Sequence, residues 1–190
     1  MESHNLTGKL VFANDRITVE HLGLELLGHP RVNAEKLVPE ICDGIRASLV
    51  DNTPKTPAPF TALLKQVKAQ GYPIGVVSDL DAEAAGALYA KLDISEPVDG
   101  AIVATEGKPA TADPQAWRNG ARALQTIVPS CVSLATAGLS AHAAVTAGMR
   151  CIALPDQYTG FQDFGGTDTI LDTLDNGAAQ TVLDTLAIHP

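Results

Sequence analysis

The sequence has 190 residues, a formal net charge of −9 at pH 7, 45% hydrophobic residues and 4% aromatic residues. This length suits one domain with a small appendage, and the scarcity of aromatic side chains predicts an aliphatic core. The negative charge disfavours nucleic acid and anionic membrane as partners, because both are themselves negative. The sequence shows no run of the roughly 20 apolar residues that a spanning helix needs and no secretory leader, so we expect a cytoplasmic protein.

The cysteines give no sign of a disulfide framework or a zinc site. Their number is odd, and Cys42, Cys131 and Cys151 form neither a CxxC pair nor a Cys/His ligand pattern. We therefore expect free thiols.

The first predicted element is a strand that ends in polar residues. Residues 9–18 read KLVFANDRIT, in which an apolar run stops at Asn14 and Asp15. In a parallel α/β protein the end of the first strand is a common place for chemistry. Asn14 and Asp15 are therefore candidate functional residues.

The next stretch, residues 16–56, differs in kind from the rest of the chain. TVEHLGLELLG and NAEKLVPEICDGIRASLV have the spacing of two amphipathic helices, and DNTPKTPAP, with three prolines in nine residues, resembles a semi-rigid return linker. We predict a small helical cap over the carboxyl ends of the strands. The predicted division is an α/β core formed by residues 1–15 and 57–190, and a cap with linker at 16–56.

From residue 57 onward, short apolar runs alternate with helical patterns. The segment PFTALLKQVKAQG predicts a helix that stops at Gly71, since glycine favours the position after a helix end. Strands are predicted at residues 71–79, 99–105, 131–136 and 151–155, with helices between them, then a last strand or short helix and a C-terminal helix. Such alternation predicts a Rossmann-like parallel sheet flanked by helices.

The order of these segments resembles the haloacid dehalogenase (HAD) superfamily. The resemblance runs from Lys9 to about Leu174 and is carried by AHAAVTAGMRCIALP at residues 141–155 and by the segments GVVSD and EGKPA. It implies a HAD-like α/β core with the small helical cap inserted after the first strand. It also implies phosphatase-type chemistry through an aspartyl-phosphate.

The resemblance assigns a role to each motif. Phosphoryl transfer requires an attacking carboxylate, an acid/base two residues later, groups that hold the phosphate, and Mg²⁺. The family alignment puts Ala13 at the nucleophile and Asp15 at the acid/base, with Asn14 between them. A methyl group cannot attack phosphorus, so Asp15 is expected to be a vestigial acid/base.

Two further motifs supply phosphate contacts. The resemblance assigns Ser78, at the end of the second core strand, and Lys108, in EGKPA, to phosphate binding together with Asn14. Alternatively, Ser78 caps the following helix and Lys108 is a solvated loop residue.

The fourth motif, which would carry the acids that hold Mg²⁺, has none here. Its positions are Ala135, Thr136 and Ala137, and no Asp or Glu occurs at residues 114–155. Because Mg²⁺ prefers carboxylate oxygen, we expect no metal site and no cofactor.

Two functions remain open at this point. The leading expectation is a catalytically degenerate binding, regulatory or scaffold domain with weak phosphate or anion binding. Its partner would be an unknown protein or a second copy bound through the leucine-rich cap. The alternative is an active Mg²⁺-dependent hydrolase of a small phosphorylated or anionic substrate, with Asp15 as nucleophile or base and Asp79 or Asp81 as the acid. Those two aspartates also suit a helix N-terminus.

Overall fold

The computed structural model describes residues 55–94, 99–103, 110–156 and 159–187, together with residues 40, 43, 44 and 47. Predictions on the first strand and on Lys108, and most of those on the cap and linker, lie outside these residues. So does most of the predicted domain division. No helix in the described ranges combines the length and apolarity needed to cross a membrane.

Strands and helices alternate along the described chain. In chain order they are α1 (Ala58–Ala69), β1 (Gly75–Ser78), α2 (Ala82–Lys91), β2 (Gly100–Val103), α3 (Pro114–Ala123), a 3-10 turn (Val128–Ser130), β3 (Val132–Ala135), α4 (Gly138–Ala147), β4 (Arg150–Ala153), β5 (Thr169–Ile170) and α5 (Asn176–Ala187). This order confirms the predicted α/β class with a parallel sheet.

Local sequence explains where the helices begin and end. Pro57 precedes α1, and Gly71 follows it with a φ of +83°, the left-handed conformation that favours glycine. Asp81 caps α2 by accepting from the Ala84 N–H at 2.8 Å, and α4 ends at Gly148, whose φ is +99°. The predicted stop at Gly71 is confirmed.

Within the described residues the strands form two parallel groups. β1 pairs with β2, with Gly75 opposite Gly100. β3 pairs with β4, which in turn pairs with β5. A cavity of about 460 Å³ is lined by residues of both groups, Val77 of β1 and Leu134 of β3 among them.

Helices cover both faces of the three-stranded group. Ile152 of β4 packs in one buried cluster with Leu63 of α1 and Leu183 of α5. Its neighbour Cys151 points to the opposite face and packs in a second cluster with Ala144 of α4. Successive strand residues therefore bury their side chains on alternate faces, as a sheet enclosed by helices requires.

Helix α3 links the two strand groups. It contacts β1, β2 and α4. Gly75 of β1 lets the helix approach closely, because a β-carbon there would lie 3.0 Å from Leu124 Cδ1. On the other side, Trp117 of α3 packs against the Cys151 cluster.

Candidate functional site

The end of β1 is joined to the end of β3 through a short chain of contacts. Asp79, directly after β1, accepts from the Thr111 N–H at 2.8 Å and from the Thr111 hydroxyl. The Thr111 carbonyl accepts from Trp117 Nε1 at 2.9 Å, and Trp117 packs on the cluster that holds Ala135, the last residue of β3. The carboxyl ends of β1 and β3 therefore lie at the same edge, where ligands bind in open α/β sheets.

Ser78 is the predicted phosphate-binding residue that the structure describes, and it ends β1 at this edge. Its Oγ accepts from the Leu80 N–H at 3.2 Å, within the loop before α2 rather than on the helix itself. This contact does not use the hydroxyl proton of Ser78. Ser78 does not cap α2, because Asp81 does so.

Tyr89, in α2, contributes a second hydroxyl that sequence reasoning did not single out. Its Oη is buried and makes no geometrically acceptable hydrogen bond among the described residues. Burial raises the pKa of Tyr89, and the nearby Ser78 hydroxyl lowers it by a smaller amount. The sequence between Ser78 and Tyr89 contains no motif that would associate the two.

Both aspartates proposed as a substitute acid have structural partners. Asp79 binds Thr111 through both carboxylate oxygens, and Asp81 caps α2. These contacts support the interpretation of Asp81 as a helix N-terminal residue. They give Asp79 the role of holding the loop before α3.

The end of β3 carries no carboxylate. Ala135 is buried, Thr136 is exposed, and Ala137 precedes α4 without a side-chain capping bond. Among the described residues, no group of three His, Cys, Asp or Glu side chains is placed to hold a metal ion. The described end of β3 therefore offers hydroxyl and amide groups, not carboxylates.

A glutamine from the loop after β4 occupies the first turn of α4. Gln162 Oε1 accepts from the Gly138 N–H at 2.7 Å. The loop lies so close that a β-carbon on Gly138 would be 2.6 Å from the Asp163 carbonyl oxygen. Nearby, His142 Nε2 lies 3.2 Å from that carbonyl and 3.4 Å from Asp163 Oδ2. Helix N-termini attract anions, but here the chain itself satisfies a first-turn amide.

No sequence signal pointed to Gln162, which lies 24 positions after Gly138 in a stretch without a recognisable motif. Asn14, Asp15 and Lys108 lie outside the described residues. Of the predicted phosphate-binding residues, the structure therefore describes Ser78, which lies near the Tyr89 hydroxyl. Their common chemistry is hydrogen bonding to an anion or a polar group.

No protein-family model and no functionally characterised protein matches the sequence. Solved structures do match the fold. CbbY from Rhodobacter sphaeroides in complex with phosphate has a TM-score of 0.63 and 22% identity over 73% of this chain, which spans 65% of that protein. A family IA, variant 3 HAD hydrolase from Entamoeba histolytica HM-1:IMSS has a TM-score of 0.69 and 16% identity, covering 94% of this chain and 82% of the other.

A third similar structure is β-phosphoglucomutase from Clostridium difficile, with a TM-score of 0.63 and 17% identity over 82% of this chain and 67% of that one. The neighbours include HAD hydrolases, a dehalogenase and β-phosphoglucomutases. The described chain thus has the HAD-like fold, a Rossmann-like parallel sheet flanked by helices.

Proposed function

We propose that this chain is a catalytically degenerate HAD-like protein that acts as a binding, regulatory or scaffold domain and retains weak binding of phosphate or another small anion. The observation that carries the proposal is the edge at β3. The family resemblance implies metal-binding acids there, but Ala135, Thr136 and Ala137 occupy their positions, and Gln162 accepts from the first amide of the next helix.

The same edge retains groups that suit an anion. Ser78 presents a hydroxyl fixed by the Leu80 N–H, and the buried Tyr89 hydroxyl beside it has no hydrogen bond of its own among the described residues. Asn14 and Lys108 complete the proposed phosphate-binding set. A lysine ammonium and neutral donors hold phosphate through charge-assisted hydrogen bonds without a metal.

Only one residue is proposed for the chemistry itself. Asp15 is proposed as a vestigial acid/base with no nucleophile beside it, because Ala13 takes that place in the alignment. No metal and no cofactor are required. A protein partner or a second copy would bind through the predicted cap at residues 16–56.

Phosphate titration by calorimetry tests the anion site. We expect millimolar binding that weakens about fivefold or more in Ser78→Ala and in Lys108→Ala, because each removes a donor from the same anion. Lys65→Ala is the matched control, since Lys65 is exposed on α1 and its removal changes net charge equally. Absence of binding, or equal weakening in Lys65→Ala, would contradict the proposal.

The second candidate is an active HAD-like hydrolase or phosphatase on a small phosphorylated or anionic substrate. It draws support from the neighbours, whose names include hydrolases and phosphoglucomutases. It requires Asp15 as nucleophile or general base, an acid for which Asp79 and Asp81 are the nearest candidates, and an Mg²⁺ site built from groups outside the described residues. Metal dependence separates the two candidates, because only the hydrolase needs Mg²⁺ for turnover.

A further inference from the structure

The stretch of residues 114–155 differs from the rest of the chain in its charge. The protein has a formal net charge of −9, yet this stretch contains Arg118, Arg122 and Arg150 and no Asp or Glu. It forms α3, β3, α4 and β4, and α3 contacts α4 directly. The layer formed by α3 and α4 is therefore locally positive in an acidic protein.

Helix α3 presents this charge on one face. The face follows the i, i+3, i+4, i+7 spacing of a single helix side, and we call it the α3 stripe; it consists of Gln115, Arg118, Asn119 and Arg122. The other side of α3 packs inward through Trp117 and Ala121. The α3 stripe therefore faces away from the core.

Hydrogen bonds within the α3 stripe occupy its acceptors and leave donors. Asn119 Oδ1 accepts from Gln115 Nε2 at 3.0 Å and from Arg122 Nη1 at 3.2 Å. Arg118 Nη2 donates to the Thr146 carbonyl of α4 at 3.0 Å. Each guanidinium carries further N–H groups and has no acceptor of its own. The α3 stripe therefore offers a ligand mainly N–H donors.

Within the described ranges, no carboxylate pairs with these two arginines. The ion pairs there join Lys68 to Asp99 and His142 to Asp163. Arg118 and Arg122 bind neutral oxygens instead, so their charges remain available at the surface. A guanidinium group binds a carboxylate through paired, charge-assisted hydrogen bonds, which makes carboxylates the complementary ligand.

The spacing of the two arginines defines this ligand further. Residues one helical turn apart have β-carbons about 5–6 Å apart. In an extended chain, side chains at alternate positions lie on the same side and about 6–7 Å apart. Two carboxylates at alternate positions of an extended segment can therefore meet Arg118 and Arg122 together.

A nucleic acid fits the α3 stripe less well than an acidic protein segment does. Single strands bind through aromatic side chains that stack on bases as well as through charge. The α3 stripe has no aromatic residue, because Trp117 packs inward. Asp113, directly before α3, places a carboxylate at one end of the stripe, where it would repel a continuous phosphate backbone.

We propose that the α3 stripe docks a short acidic segment of a partner protein, whose carboxylates at alternate positions bind Arg118 and Arg122. This surface includes neither the predicted cap nor Ser78. The docking of a partner here therefore does not depend on the proposed anion site.

Fluorescence anisotropy tests the docking surface with a labelled peptide of about ten residues in which glutamate alternates with serine. The same peptide with glutamine in place of glutamate is the uncharged probe. We expect the glutamate peptide to bind, and its affinity to fall about fivefold or more in Arg118→Gln and in Arg122→Gln. Rising salt should weaken this binding, since the contacts are exposed.

Matched variants separate the guanidinium contacts from general charge. Lys65→Gln is the control, because Lys65 is exposed on α1 and its replacement changes net charge equally. It should leave peptide affinity nearly unchanged, as should Ser78→Ala. Arg122→Lys keeps the charge but loses the planar fork, so it should recover part of the affinity lost in Arg122→Gln. Glutamine and lysine are good helix formers, so α3 is expected to fold in these variants.

Four results would overturn the proposal. The first is equal affinity for the glutamate and glutamine peptides, and the second is equal weakening in Lys65→Gln. The third is tighter binding of a thymidine oligonucleotide of equal length that is lost in the arginine variants, which would assign the α3 stripe to nucleic acid. The fourth is a dimer in sedimentation that dissociates in Arg122→Gln, which would assign the stripe to a second copy.

Discussion

At Gly138, the first residue of α4, the absence of a side chain allows the loop after β4 to reach the helix. An added β-carbon would lie 2.6 Å from the Asp163 carbonyl oxygen and 3.3 Å from the Gln162 β-carbon. Contacts this short require the backbone to move, and the Gln162 cap depends on that backbone. The absence of a side chain at Gly138 therefore allows Gln162 to bind the first turn of α4, next to the end of β3.

Gly138→Ala is expected to lower the free energy of unfolding by about 1–3 kcal/mol, the usual cost of overpacking. The matched control is Gly86→Ala in α2, where a β-carbon would meet nothing within 4 Å. That change should raise stability by about 0.5–1 kcal/mol, because alanine loses less backbone entropy in a helix. Urea unfolding of both variants measures these free energies. An unchanged free energy of unfolding in Gly138→Ala would contradict the prediction and show that the loop after β4 moves at little cost.

Arg150, the first residue of β4, carries a charge that the described residues do not pair. Its three guanidinium nitrogens are buried and have no hydrogen-bond partner there. The side chain points to the same face as Ile152, which packs against α1 and α5. A buried charge without partners is costly, so this residue reduces stability where it stands.

Replacing Arg150 with methionine, which is also long and flexible but apolar, is expected to raise the free energy of unfolding by about 1–2 kcal/mol. Arg118→Met is the control. Arg118 Nη2 donates to the Thr146 carbonyl at 3.0 Å, so this variant should be slightly less stable than the unmodified protein. A loss above about 1 kcal/mol in Arg150→Met would mean that the guanidinium is paired by a group outside the described residues.

At the scale of elements, the amino ends of β1 and β2 are held together by Asp99. Its carboxylate accepts from Lys68 Nζ and, at 2.8 Å, from the Ile74 N–H. The Lys68 hydrogen bond is the largest cause, and the Ile74 bond the next, of a pKa of Asp99 below its usual value. A carboxyl with a lowered folded-state pKa adds stability above its unfolded pKa and loses it as the pH falls through the folded pKa.

Asp99→Asn should therefore lower stability near pH 7, and its difference from the unmodified protein should shrink below about pH 3.9, the unperturbed aspartate pKa. Denaturant unfolding from about pH 7 to about pH 2.5 measures this. Asp172→Asn, an exposed carboxylate with no hydrogen bond to a described residue, is the control and should show a smaller change. A constant difference across the whole range would show that Asp99 acts without its charge.

The elements were predictable because each one is specified locally. The strands are short apolar runs, and α1 carries its stop signal at Gly71. The contacts around the site were not predictable in this way. Gln162 accepts from the Gly138 N–H from 24 positions away, and the direction of the Tyr89 side chain on α2 brings its hydroxyl near Ser78. Such pairings depend on the path of a loop and on side-chain direction, which sequence spacing does not encode.

At the scale of the whole molecule, the described chain has the HAD-like fold, while the end of β3 holds no carboxylate. The parallel strands and flanking helices match the fold of a solved HAD hydrolase with a TM-score of 0.69. Function in this fold resides in the side chains placed at that edge. Under the proposed loss of catalysis, the scaffold would serve binding at this edge and at the predicted cap.

The most direct test of the proposed function is hydrolysis of a broad phosphoester panel, with and without Mg²⁺, by the unmodified protein and by Asp15→Asn. We predict no turnover above background in either protein under either condition, because the proposed alignment puts Ala13 at the nucleophile position. Mg²⁺-dependent turnover that disappears in Asp15→Asn would contradict this and would assign the chemistry to Asp15.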